Sequence, residues 1–142
     1  DDAVRHFQDA LAKDDACAEA HGGLAMAHQR AGRYDEAFAA YLACLERDRD
    51  NLVALLGLFQ TSCQMGTFEK IIHYLQVYLD RHPGDTSVLF CLASLYVKEG
   101  RLEDARQTLL TVLALEPDKD DAEQLLRDVD QRLAGAARTV QA

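Results

Sequence analysis

The 142-residue sequence contains no tryptophan, only two prolines and too few basic residues to balance its acidic ones. Aromatic residues make up 7% of the chain, so few side chains can stack on bases or sugars. The formal net charge of −9 opposes binding to nucleic acid and to anionic membranes, and we expect neither as a partner. The low proline content argues against a disordered or fibrous chain. Since no apolar run approaches the roughly 18 residues that a transmembrane helix needs, we expect no membrane insertion.

Four cysteines, Cys17, Cys44, Cys63 and Cys91, are present and form no C-x-x-C pair. If they were oxidised, three pairings would be open to them. Each lies in an otherwise apolar helical stretch, where a thiol behaves as a small hydrophobic side chain. We therefore expect reduced, structural cysteines, which favours a cytoplasmic location.

A period of 34 residues runs through the glycines and prolines. Gly32, Gly66 and Gly100 are separated by 34 residues each, and so are Pro83 and Pro117. Each of these glycines begins the same pattern: glycine, one polar residue, one apolar residue, two charged residues and one apolar residue. Three copies in phase indicate an internal repeat.

Each copy has the pattern of a helix–turn–helix unit. One apolar stripe at helical spacing precedes the glycine and a second stripe follows it. The glycine is expected to supply the left-handed residue that ends the first helix. The second helices are predicted to end near residues 48–50, 82–85 and 116–118, because proline cannot continue a helix at two of these places. Asp85 and Asp118 are predicted to cap the helices that follow.

This pattern resembles the tetratricopeptide repeat (TPR) family, whose motif reads W-x2-L-G-x2-Y, then A-x3-F, then P. The third copy fits best, and in it the motif positions hold Leu89, Leu92, Ala93, Tyr96, Ala105, Leu109 and Pro117. The resemblance implies an all-α fold, a right-handed α-solenoid that forms a single TPR domain over residues 1–134. The predicted segments are a half repeat over 2–14, full repeats over 18–51, 52–85 and 86–119, a capping helix over 120–134 and a tail or linker over 135–142.

Patterns typical of enzymes and metal sites are scarce in this sequence. It contains no nucleophile elbow, zinc-protease helix, phosphate-binding loop or Rossmann glycine pattern, so we expect no catalytic residue and no cofactor. Cys17 and His21 would share one helix face, but His28 is roughly 10 Å further along the helix. A closed zinc site would need two more ligands, and nothing in the spacing selects them. We favour the interpretation that His21 and His28 fill aromatic positions of a degenerate repeat, with no metal bound.

The resemblance also implies where a partner would bind. In TPR proteins the first helices of successive repeats line a concave groove that binds a peptide or helix. Positions related by the 34-residue period predict a groove formed by Met26, Gln29, Leu56, Gln60, Cys63, Phe90, Ser94 and Val97. These positions hold no Lys, Arg or Asn, so the carboxylate clamp of the chaperone adaptors is not expected. Their apolar members suit an amphipathic helix or an extended segment with apolar anchors.

The predicted function is a non-catalytic protein–protein interaction module, serving as an adaptor, a scaffold or a chaperone-like protein. The alternative is structural self-assembly into homo-oligomers through the ends of the solenoid. Val4, Phe7 and Leu11 form an apolar stripe on a helix of the half repeat, whose companion helix is not in the sequence. An uncovered stripe of this kind would pair with another part of a longer protein or with another copy of the chain.

Overall fold

The computed structural model describes residues 18–141, with side chains over 22–138. Within residues 18–141 the chain forms seven α-helices and no strand, which confirms the predicted all-α class. The helices are α1 (Ala18–Arg30), α2 (Tyr34–Arg47), α3 (Leu52–Met65), α4 (Glu69–Arg81), α5 (Thr86–Lys98), α6 (Leu102–Leu115) and α7 (Asp120–Gln141). No described helix is both long and apolar enough to cross a membrane.

The periodic glycines end α1, α3 and α5 as predicted. Gly32, Gly66 and Gly100 have φ angles of 78°, 74° and 74°. These angles lie in the left-handed region, which residues with a Cβ atom rarely adopt. The residue after each glycine donates its N–H to the carbonyl oxygen five residues earlier. These bonds run from Arg33 to His28, from Thr67 to Ser62 and from Arg101 to Tyr96, with N–O distances of 2.9, 3.3 and 2.8 Å. The same local chemistry therefore makes the same turn three times.

The chain divides into two compact units, the first ending at Tyr78 and the second beginning at Leu79. In the first unit α1 packs on α2, and α2 packs on α3. In the second unit α5 packs on α6, and α6 packs on α7. The fully buried side chains follow the predicted helical spacing and include Ala37, Leu55, Leu58, Ile71, Leu75, Ala105, Leu109 and Val112. In each unit, apolar burial thus lies between neighbouring helices.

Side chains cap the N-termini of α3 and α5. The Asp85 carboxylate accepts a hydrogen bond from the N–H of Val88 at 3.2 Å, which confirms the predicted cap of α5. Asn51 caps α3 in the same way by accepting from the N–H of Ala54 at 3.0 Å. The predicted cap at Asp118 is wrong, because α7 begins later. The carbonyl of Lys119 accepts the first helical bond of α7, so Lys119 and not Asp118 occupies the N-cap position.

Replacing Asp85 with alanine should lower the free energy of unfolding by about 0.5–2 kcal/mol, the usual effect of losing an N-cap. The matched control is Asp118→Ala, which removes an exposed aspartate outside the cap position and should change stability by less than about 0.5 kcal/mol. Urea denaturation followed by circular dichroism measures both variants. Equal losses for the two substitutions would show that charge, and not the cap, stabilises this end of α5.

The last helix is longer than predicted. The sequence pattern placed its end near residue 134 and a tail over 135–142, whereas α7 continues to Gln141. Apolar periodicity does stop there, but the stretch contains Ala134, Ala136 and Ala137, and alanine has the highest intrinsic helix propensity. Closer to its start the helix buries Ala122 and Val129, and Asp130 forms an ion pair with Arg106 of α6 at 2.9 Å.

Candidate functional site

The first unit contains an open cavity of about 530 Å³ between α1 and α3, called here the first-unit cavity. Four of the predicted groove residues line it: Met26 and Gln29 from α1, and Leu56 and Gln60 from α3. The rest of the lining consists of Arg30, Tyr34, Tyr41, Val53, Gly57 and Gln64. Cys63 also lies on α3 but is half-buried and does not line the cavity.

Exposed apolar side chains concentrate at this cavity. Met26 is 39% exposed, Leu56 37% and Val53 64%, and all three line it. Only three other large hydrophobic residues of the described part are exposed, namely Leu52, Leu110 and Leu115. These three side chains form the exposed apolar part of a lining that also contains polar groups.

A hydrogen-bond relay crosses the first-unit cavity from its interior to its rim. The Tyr41 hydroxyl donates to Gln29 Oε1 at 2.7 Å, and Gln29 Nε2 donates to Gln60 Oε1 at 3.2 Å. Tyr41 is only 2% exposed, and this burial raises its pKa above the ordinary value of 10.0, although the nearby Arg30 acts in the opposite direction. The phenol is therefore protonated at neutral pH and remains a donor. The relay links α2, α1 and α3 and ends at the Gln60 amide.

Because Gly57 has no side chain, the Tyr41 ring can pack directly against the backbone of α3. A Cβ atom at Gly57 would lie 2.2 Å from Tyr41 Cζ, so only glycine fits beside this ring. The pairing of Tyr41 with Gly57 was missed in the sequence, since the two residues meet only through the packing of α2 on α3. One signal was available: the period relates Gly57 to Gly23 and Cys91, so a small residue recurs at this position.

In the second unit, the other three predicted groove residues lie along α5. Phe90 is half-buried, and the Lys119 ammonium lies 5.5 Å from the centroid of its ring, within cation–π range. The Ser94 hydroxyl donates to the Phe90 carbonyl at 3.0 Å, so its proton is engaged within the helix. Val97 is half-buried. Whether these residues contact a partner stays a prediction.

The remaining candidate residues divide between the described and undescribed parts of the chain. Cys17 and the proposed self-association residues Val4, Phe7 and Leu11 lie outside the described residues, as does the side chain of His21. His28 is buried, and its Nδ1 accepts a hydrogen bond from Arg33 Nε at 2.9 Å. Glu36 Oε2 lies 3.3 Å from the same Nδ1. Across the described residues, no group of three or more His, Cys, Asp or Glu side chains has an arrangement that could hold a metal.

Comparison with family models gives two matches, both described as tetratricopeptide repeat. One covers residues 1–51 and the other residues 62–129. A comparison with curated protein sequences gives no match.

Solved structures with the same fold include three useful neighbours. The first TPR of Spaghetti (RPAP3), bound to the HSP90 peptide SRMEEVD, is 22% identical with a TM-score of 0.71, over 82% of this chain and 93% of that one. YrrB, a TPR protein with an unusual peptide-binding site, is 20% identical with a TM-score of 0.78, over 92% and 68%. MamA from Desulfovibrio magneticus RS-1 is 15% identical with a TM-score of 0.77, over 99% and 79%. At these identities the likeness establishes the fold alone.

Proposed function

Because this chain belongs to the tetratricopeptide repeat family, we propose that it is a non-catalytic protein-interaction module whose first-unit cavity binds an apolar or amphipathic peptide or helix. The observation that carries the proposal is the cluster of exposed Met26, Val53 and Leu56 around one open cavity. An apolar side chain of a partner would remove these residues from water, and burial of apolar surface is the main favourable contribution to such binding.

Further support comes from the neighbours with the same fold. One was solved with a bound peptide, and another is described by its peptide-binding site. We propose the same class of partner for this chain, with the repeats over residues 1–134 acting as one TPR domain. The predicted adaptor, scaffold or chaperone-like role and the cytoplasmic location belong to this proposal. So does the predicted extension of the groove to Cys63, Phe90, Ser94 and Val97.

The test begins with peptides selected from a random library displayed on phage, using the wild-type protein as bait. Leu56→Glu and Met26→Glu should each weaken binding of the selected peptides at least about tenfold, because a charge replaces an apolar anchor contact. Fluorescence anisotropy with the synthetic peptides measures this effect. The matched control is Leu115→Glu, at an exposed leucine of the second unit that does not line the cavity.

Circular dichroism should show unchanged helicity in all three variants, since each substituted side chain is already exposed. Selection of no peptide, or equal binding by wild type and Leu56→Glu, would contradict the proposed site.

A further inference from the structure

One charged side chain lines the first-unit cavity, and it is a cation. Arg30 lies in the last turn of α1. Among the described residues no carboxylate forms an ion pair with Arg30, whereas Arg33, Arg101, Arg106 and Arg127 each pair with an acidic side chain. Burial raises the pKa of the Tyr41 phenol, and the guanidinium of Arg30 lies close enough to oppose that rise. An unpaired cation beside exposed apolar residues is a feature that a partner could match.

Hydrogen-bond donors also lie on the wall of the cavity. Within the relay the side-chain carbonyl oxygens of Gln29 and Gln60 each accept one hydrogen bond, which uses one of their two lone pairs. The amide N–H groups of Gln60 have no acceptor among the described residues and remain available at the rim. The other polar groups of the lining, the Tyr34 hydroxyl and the Gln64 amide, can donate or accept. The Gln60 amide and the Arg30 guanidinium can therefore both donate to acceptor groups of a partner.

We propose that the segment bound in the first-unit cavity carries an Asp or Glu side chain next to its apolar anchor, with the carboxylate paired to Arg30. This inference rests on the proposed function and names the partner chemistry: an acidic amphipathic peptide segment. The apolar side chain of the segment contacts Met26 and Leu56, while its acceptor groups accept hydrogen bonds from the Gln60 amide. Carboxylates and guanidinium groups form charge-assisted hydrogen bonds, which are stronger than neutral ones.

A side-chain carboxylate is favoured over a chain terminus because the cavity is open, so that a continuous segment can lie across it. The net charge of −9 repels an acidic peptide at long range, so any preference for acid has to come from local pairing.

The probes for this inference are synthetic versions of the phage-selected peptides, each amidated at its C-terminus so that no terminal carboxylate is present. In a second version every Asp or Glu is exchanged for Asn or Gln. With wild type the exchange should weaken binding about three- to fivefold, the upper part of the range for an exposed ion pair. Arg30→Gln should weaken binding of the acidic peptides by a similar factor and remove the difference between the two versions.

The matched control is Arg138→Gln, which changes the net charge equally at an exposed arginine of the second unit. It should preserve the preference for the acidic peptides. Selected peptides without acidic residues, equal binding of the two versions, or a preference that persists in Arg30→Gln would overturn the inference. If any of these occurs while Leu56→Glu still weakens binding, the proposed function stands and only the partner chemistry is wrong. If Leu56→Glu has no effect, the proposed function itself fails.

Discussion

Replacing Gly57 with alanine is expected to lower the free energy of unfolding by about 2 kcal/mol, because the new methyl group would overlap the Tyr41 ring. An ideal Cβ at Gly57 lies 2.2 Å from Cζ and 2.3 Å from Cε1 of Tyr41, far inside the usual contact distance. The ring is almost completely buried and rigid, so it cannot turn away without disturbing its neighbours. Overpacking of this degree costs about 3 kcal/mol, and the higher helix propensity of alanine offsets about 1 kcal/mol of that.

A second helical glycine provides the matched control. Gly22 lies in α1, and a Cβ there would meet Cys44 Sγ at 3.8 Å, an ordinary van der Waals distance. Gly22→Ala should therefore stabilise the protein by up to about 1 kcal/mol through helix propensity alone. Urea denaturation of both variants decides the matter. A Gly57→Ala protein as stable as Gly22→Ala would show that the Tyr41 ring moves aside without cost.

The same clash should be visible in the hydrogen-bond relay. If the ring is displaced, the Tyr41 hydroxyl loses Gln29 and the Gln60 amide loses its fixed orientation. We therefore expect weaker binding of the phage-selected peptides by Gly57→Ala even at temperatures where the variant is folded. Substituting leucine for Tyr41 removes the clashing ring atoms, so Gly57→Ala should cost much less in a Tyr41→Leu background.

The turns and the core could be predicted because they depend on local chemistry. Glycine at residues 32, 66 and 100 was identified from the period alone, since a left-handed residue is needed wherever the helix must end in the same way. The buried stripes follow from helical spacing, which puts every third or fourth residue on one face. Four of the predicted groove residues line the first-unit cavity, because positions related by the period lie on equivalent faces of α1 and α3.

The rest of the candidate site could not be predicted, because it depends on contacts between helices. Tyr41 reaches the cavity from α2 only because Gly57 leaves space on α3, and neither residue indicates the other in the sequence. Arg30 follows Gln29 directly in the sequence, but only Gln29 belongs to the groove positions that the 34-residue period relates. The predicted groove positions hold no arginine, but the cavity that the structure forms is also lined by Arg30.

Two neighbouring leucines of α3 should lose stability to very different extents when each is replaced by alanine. Leu55 is fully buried, whereas Leu56 is 37% exposed in the first-unit cavity. Leu55→Ala should lower the free energy of unfolding by about 2–5 kcal/mol, because truncation leaves a void that close-packed neighbours fill only in part. Leu56→Ala should lower it by less than about 1 kcal/mol, since the lost methyl groups already contact water.

Binding should reverse the order of the two variants. Under conditions where both are folded, Leu55→Ala should bind the phage-selected peptides like wild type, because Leu55 is buried and does not line the cavity. Leu56→Ala should bind them at least about fivefold more weakly, as expected for truncation of an anchoring contact. Urea denaturation and fluorescence anisotropy on the same protein preparations measure the two effects. The two variants have the same residue type, helix and substitution. If stability is lost mainly in Leu55→Ala and peptide binding mainly in Leu56→Ala, the buried face of α3 is distinguished from its binding face. Weakened binding in Leu55→Ala alone would instead indicate that the cavity is held open by the core and that its rim contributes no contact.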